Sequence, residues 1–499
     1  MKVLHVCAEL YPLLKTGGLA DVCAALPAAQ RAAGLDARLL LPGFPALRAG
    51  TENTGEALLL PTRQAPPFVR ALGAHVAVQP ARVREGGQPL WLIDLPALYA
   101  RPGGPYQDAS GHDWPDNGQR FALLGWVAAR LAQGADAQFV PEVLHAHDWH
   151  AGLAAAYLRA EGAAPRCASV FTIHNLAYQG RFGAALWPQL GLPESLFSLD
   201  GLEFFGDVSF MKAGLQFSDA LTTVSPRYAR EILTPEQGFG LDGVLRARAA
   251  VLHGILNGVD DRVWDPAHDP LLEAHYDVDH LAGKARNKRL LQKALGLRQR
   301  PGALLFGAVS RLSEQKGLHL LPAVLDALVA RGGQLVVLGS GDAAIEHALR
   351  EACARHPGQA VLQTGYDEAL AHRIMAASDV VLVPSRFEPC GLTQLYGLRY
   401  GALPLVREVG GLADTVVDCS LEALDDGSAS GFVFRDFTPE ALDAAVRRAF
   451  ALRRREAEWQ RVQAHAMQQR FDWARAARAY ADLYDALTRS RPSSARAKS

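Results

Sequence analysis

Arg311 and Lys316 stand five residues apart, between an apolar run, Ala303–Val309, and a segment of helical periodicity, Leu318–Ala330. Two cations on a strand-to-helix loop can converge on one anion at the start of the helix, where unpaired N–H groups already favour negative charge. Two unrelated surface cations would leave the same trace. Glu388 lies in a second such loop, Pro384–Gly391, between the β-branched run Asp379–Val383 and a helix expected over Gln394–Tyr400. A carboxylate beside backbone N–H groups and a helix N-terminus suits a polyhydroxyl ligand joined to phosphate. A solvated loop acid that caps the helix is the other reading. Near the N-terminus, Lys15 precedes Gly17 and Gly18, a pair that lets the backbone approach a ligand while the ammonium reaches it. Asp148 and His174 each follow an apolar run, at the carboxyl ends of Val143–His147 and Ala168–Ile173. Open α/β sheets bind their ligands at that edge.

The elements that must hold these groups read as alternating strands and helices. Lys2–Val6, the helical Leu19–Ala33 and Asp36–Leu41 form a βαβ opening. No GxGxxG follows the first strand, so a dinucleotide fingerprint is absent. Residues 50–90 read as peripheral strands and loops, 101–118 as a long Gly/Pro/Asp-rich loop, and Gln119–Ala132 as an amphipathic helix. Asp219–Val224 is another strand, with Ser225 as cap and Pro226 opening a helix. Asn257-Gly258 forms a turn. Beyond Arg311, strands are expected at Leu335–Leu338, Val361–Thr364 and Pro404–Val406, with mostly helix after residue 438. Tyr366, just after one of these strands, is a candidate for stacking near a nucleobase. The fold class is α/β.

At 499 residues the chain exceeds one ordinary core, and two domains are expected. A hydrophobic share of 49%, 21% charged residues and a net charge of -1 describe a globular chain with no bias towards nucleic acid or an anionic membrane. The N-terminus is too short and too polar in its apolar stretch for a signal peptide or a membrane span. The six cysteines are scattered without a CxxC pair, which fits reduced thiols in the cytoplasm. Cys390, beside Glu388, reads better as a packing residue than as a nucleophile.

Two patterns invite a metal reading. His145 and His147 share a strand face in a segment of three histidines and one aspartate, yet no cysteine or glutamate completes a shell. Asp148 is placed to start the helix that follows, expected to be under way by Ala151. Asp277-Val-Asp279 has the form of a metal–diphosphate ligand pair, but it precedes the helix Leu281–Leu295, which Asp279 would cap. No metal is expected at either place.

The run Ser385-Arg-Phe-Glu-Pro-Cys-Gly-Leu392 resembles the C-terminal loop of bacterial glycogen synthases and plant starch synthases. Lys15-Thr-Gly-Gly-Leu-Ala-Asp21 resembles that family's N-terminal signature, and His145-Ala-His-Asp-Trp-His-Ala-Gly-Leu153 matches a third motif. The resemblance implies two facing Rossmann-like, doubly wound domains with a deep cleft between them. It implies domains over 1–256 and 257–472, a helix over 473–489 that packs back on the first domain, and a basic disordered tail over 490–499. It implies a retaining glucosyltransferase that adds glucose from ADP-glucose to the non-reducing end of an α-1,4-glucan, with no metal and no further cofactor.

The same resemblance assigns the residues. Arg311, Lys316 and, after domain closure, Lys15 would meet the diphosphate, with Gly17 and Gly18 beside it and Asp21 close by. Glu388, Asp148, His174 and Asn175 would grip the glucose, Glu388 positioning it and not attacking. Cys390, Gly391, Leu392 and Thr393 would line the donor around Glu388. On the residues alone, Thr393 is the expected cap of the helix that follows. The 101–118 loop would lie near the glucan. Two rival functions share these features: a UDP-glucose-dependent or sugar-phosphate-forming transferase of the same fold, and a non-catalytic glycogen-binding protein.

Overall fold

The computed structural model describes residues 1–160, 167–300 and 302–489. The tail expected to be disordered, 490–499, lies outside the described residues. The chain divides into two compact units. The first holds Met1–Val224, Ala229–Asn257 and the terminal helix Trp473–Arg489; the second holds Ser225–Tyr228 and Gly258–Asp472. The division therefore differs from the expected cut at Asn257, which falls in the first unit, and at one short segment. Residues 225–228 belong with the second unit because Ser225 Oγ donates to Pro389 O (2.7 Å) and Arg227 N donates to Asp414 Oδ2 (2.6 Å). Ser225 also accepts from Tyr228 N, the capping bond expected of it.

The first unit is built on a ten-stranded sheet. Its parallel part runs Leu252–Gly254, Ala220–Thr223, Ala168–Ile173, Val143–His147, Lys2–Val6, Asp36–Pro42 and Pro89–Asp94. The segment read as peripheral is in part integral: Pro89–Asp94 continues the parallel order, and His75–Val83 then pairs antiparallel with it. Strand order reverses between Lys2–Val6 and Val143–His147, which puts the loops after those strands side by side. The helix Asn117–Ala132 is buried on nearly every side, not amphipathic, because strand and helix neighbours cover both of its faces. The terminal helix turns Trp473, Ala476, Ala477, Tyr480 and Tyr484 onto Val22 and Leu26 of the helix Gly18–Ala32. That spacing makes one continuous helical stripe.

The second unit has six parallel strands in the order Ala360–Thr364, Gln334–Gly339, Leu305–Val309, Val380–Val383, Leu403–Arg407, Phe432–Phe434. Its reversal falls between Leu305–Val309 and Val380–Val383, the two strands whose loops carry Arg311, Lys316 and Glu388. Burial of Phe306, Leu335, Val337, Val381 and Leu405 between helices on both faces explains their unbroken apolar runs.

Several local expectations are corrected. The helix after Lys316 begins at Leu321, since Leu318–Leu320 winds as a tighter turn first. Thr393 is the first helical residue and not a cap; the residue before the helix is Leu392, which offers no side-chain acceptor. Asp277, not Asp279, satisfies the turn before the helix Ala282–Ala294, accepting from the backbone of Asp279 and His280. No helix among the described residues is long and apolar enough to cross a membrane.

Candidate active site

In the second unit the two loops leaving the adjacent strands meet. Lys316 Nζ donates to Glu388 Oε2 at 2.7 Å, and Ser385 Oγ donates to the same oxygen at 2.9 Å. Glu388 is only 5% exposed, so it is no solvated loop acid. The approach depends on glycine. Gly317 has φ +71, and a Cβ there would lie 2.0 Å from Pro384 O of the Glu388 loop. Gly410 has φ +44, and a Cβ there would lie 1.9 Å from Glu388 O, while Gly411 N donates to that oxygen at 3.1 Å. The loop is thus clamped from both sides by backbone. Gly317→Ala should cost about 2 kcal/mol or more, through the left-handed φ and the collision together. Urea unfolding checks this, and a midpoint unchanged from wild type would refute it.

Arg311 is exposed on the same loop as Lys316. Gly391, with φ +74, closes the Glu388 loop, and Cys390 is buried beneath it, 5% exposed, as a packing residue. Leu392 and Thr393 lead into the helix. Tyr366 is exposed on the loop after Ala360–Thr364.

The first unit gathers a second set at its own reversal. Asp148 adopts φ +55, which turns its carboxylate away from the helix it opens and onto the next loop. There Oδ1 accepts from His174 N (2.7 Å) and more weakly from Asn175 N (3.4 Å). Asp148 therefore starts its helix, as expected, while its side chain braces the His174 loop. Its helix starts at Asp148 itself, three residues earlier than Ala151. Burial raises its pKa to about 7, against the opposing pull of those two backbone donors.

Lys15 Nζ sits 3.0 Å from Asp21 Oδ1 and 5.0 Å from the Tyr11 ring centroid. Gly17 is extended at φ -166, a value any residue adopts, but beyond its two chain neighbours no described protein atom lies within 4 Å of where its Cβ would be. Gly18 begins the helix.

Glu9 was not singled out from the sequence, yet it organises this loop. Its carboxylate accepts from Thr16 N (2.7 Å), Thr16 Oγ1 (2.6 Å) and Tyr106 Oη (2.6 Å), while the residue is 3% exposed. A single acid inside the apolar run Val6–Leu10 was the signal. Tyr106, from the long 101–118 loop, reaches the unit's core of site groups through this bond.

His5, His145 and His147 have ring nitrogens close enough to share a metal ion. Every one of those nitrogens already faces a hydrogen-bonding neighbour: Gln30, His147 and His5, Tyr484, Thr172 or His174. An ion would have to displace bonds among buried groups.

Comparison with known proteins bears on what these two sets of groups are for. The starch synthase catalytic domain model matches residues 2–247, and a model of group 1 glycosyl transferases matches residues 303–451. The glycogen synthase of Albidiferax ferrireducens is 57% identical over 98% of this chain and 99% of its own length. That of Serratia proteamaculans is 55% identical over 98% of this chain and all of its own length. Among solved structures, the catalytic domain of starch synthase IV from Arabidopsis thaliana, bound to ADP and acarbose, superposes with a TM-score of 0.87. It is 31% identical, over 98% of this chain and 99% of that one. A sucrose-phosphate synthase from Thermosynechococcus elongatus, 16% identical with a TM-score of 0.59, shares the fold of two Rossmann-like domains. With full-length relatives at this identity, the chain belongs to the glycogen synthase family of retaining glycosyltransferases.

Proposed function

We propose that this chain transfers glucose from ADP-glucose to the non-reducing end of an α-1,4-glucan such as glycogen, with retention at the anomeric carbon. The observation that carries the reading is the 2.7 Å contact between Lys316 and Glu388 at the strand reversal of the second unit. It sets a cation for a diphosphate next to a carboxylate for sugar hydroxyls, on one rigid scaffold. The full-length likeness to glycogen synthases supports the acceptor, and the ADP named in the starch synthase IV structure supports the donor.

Transfer from a sugar nucleotide builds negative charge on the departing diphosphate. Arg311 and Lys316 meet that charge, with no metal and no further cofactor required. Lys15 is the first unit's own candidate cation for a diphosphate. Glu388 fixes the glucose through its hydroxyls. Asp148 holds the His174–Asn175 loop in place, and that loop is the first unit's own candidate for sugar hydroxyls. With a pKa near 7 its carboxyl is available in both protonation states at neutral pH. Six buried free cysteines fit a cytoplasmic enzyme.

The test is label transfer to glycogen from ADP-glucose and from UDP-glucose in parallel. Incorporation from ADP-glucose, well above that from UDP-glucose, is expected. Preference for UDP-glucose, or product only on a soluble sugar phosphate, would replace the reading with the first rival. Glycogen binding without transfer would replace it with the second.

A further inference from the structure

Inside the first unit a line of buried side chains ends at His174. Gln30 Oε1 lies 2.7 Å from His5 Nε2, His5 Nδ1 lies 3.0 Å from His147 Nε2, and His147 Nδ1 lies 3.0 Å from His174 Nε2. Gln30 is in turn held by the terminal helix, donating from Nε2 to Tyr484 Oη at 3.1 Å. Tyr484 Oη lies 2.6 Å from His145 Nδ1, and His145 Nε2 lies 2.6 Å from Thr172 Oγ1. Gln30, His5, His145, His147 and Tyr484 are all fully buried.

A neutral imidazole has one N–H and one lone pair, so each bond in such a line dictates the next. Burial lowers the pKa of His5 to about 4 and pushes His147 and His174 down as well, which keeps the rings neutral at pH 7. The carbonyl oxygen of Gln30 can only accept, so His5 carries its proton on Nε2 and accepts at Nδ1. His147 must then donate from Nε2 and accept at Nδ1. His174 must donate from Nε2, and its Nδ1 is left as a bare lone pair. Turning the Gln30 amide end for end would reverse every bond and move the His174 proton to Nδ1. The choice is made more than two side chains away from the ring it governs.

We propose that Gln30, which is hydrogen-bonded to Tyr484, is a positioning residue that sets the tautomer of His174 through His5 and His147, so that His174 meets a sugar hydroxyl as an acceptor. The last clause rests on the function proposed above; the tautomer does not. Nothing in the sequence joins these residues, which come from a helix, two strands, a loop and the terminal helix.

The test uses the full-length enzyme with 15N-labelled histidine, read by long-range proton–nitrogen correlation of the rings at neutral pH. The His174 signals are identified by their loss in His174→Ala. Wild-type protein should show His174 protonated at Nε2 and bare at Nδ1. A proton on Nδ1, or an even mixture, overturns the proposal whatever the enzyme does. Gln30→Met keeps the volume and removes both bonds. It should erase the tautomer preference and lower kcat roughly 10- to 100-fold, with the donor KM little changed. A folded Gln30→Met enzyme with wild-type kcat would overturn the catalytic link, and if that variant does not fold, the wild-type tautomer decides alone. Absence of transfer from ADP-glucose by the wild type would count against the proposed function and leave the tautomer result standing.

Discussion

Alanine at Arg311 should lower kcat for glucosyl transfer by roughly 100- to 1,000-fold, the scale for removing one preorganised contact to developing negative charge. Alanine at Lys316 should match it. The two variants should part in stability. Arg311 is exposed, so its loss should leave the urea midpoint within error of wild type. Lys316 is different because its ammonium bonds a carboxylate that is 5% exposed. Without it Glu388 loses its one cationic partner among the described residues while it keeps the Ser385 hydroxyl, and a nearly buried acid short of a partner costs about 2 kcal/mol. Single-turnover rates with ADP-glucose and glycogen, run beside urea unfolding, separate the two effects. Near-normal rates in either variant would remove the leaving-group assignment. A Lys316→Ala enzyme as stable as wild type would mean that the contact with Glu388 contributes little.

Much of this site was legible because strands of parallel sheets are buried on both faces and announce themselves as apolar runs. Lys2–Val6 and Ala168–Ile173 fall where the runs place them, and Val143–His147 ends in the residues that follow it into the site. Chemistry-bearing residues that follow such runs sit at the carboxyl edge almost by construction, which is how Arg311, Lys316, Glu388, Asp148 and His174 could be picked out. What a run cannot convey is which partner a side chain finds. Glu388 read equally well as a solvated acid until Gly317 and Gly410 were seen to press two backbones against its loop. Asp148 stands where the next helix starts, and that place says nothing of where its carboxylate goes. Its positive φ, a tertiary effect, sends the carboxylate to the neighbouring loop. The caps expected at Thr393 and Asp279 differ for two reasons: the first helix starts at Thr393 itself behind an apolar Leu392, and Asp277, two residues before Asp279, takes the backbone bonds of the other turn. Glu9 and Gln30 were missed for another reason. Their partners lie far along the chain, up to the 454 residues that separate Gln30 from Tyr484.

The same buried imidazoles should make the first unit unusually sensitive to acid. Burial lowers the pKa of His5 to about 4 and of His150 to about 3, and it lowers His145, His147 and His174 too. In the unfolded chain each returns to about 6.5. A group whose folded pKa is depressed contributes stability that is present above its unfolded value and lost as pH falls towards the folded one. Between about pH 6.5 and 4, then, unfolding takes up protons that the folded unit refuses, at roughly 1.4 kcal/mol per pH unit for each proton. Asp148 runs the other way. Its pKa is raised to about 7, so the folded state holds a proton that the unfolded state releases, and its contribution grows as pH drops from 7 towards 4. One carboxyl set against five imidazoles does not reverse the outcome. Urea midpoints from pH 7.5 down to 4.5 should therefore fall, and in Asp148→Asn, where the opposing proton is gone, they should fall more steeply. A midpoint that stays level over that range would mean that these rings charge in the folded state. That would also remove the neutral imidazoles on which the tautomer of His174 depends.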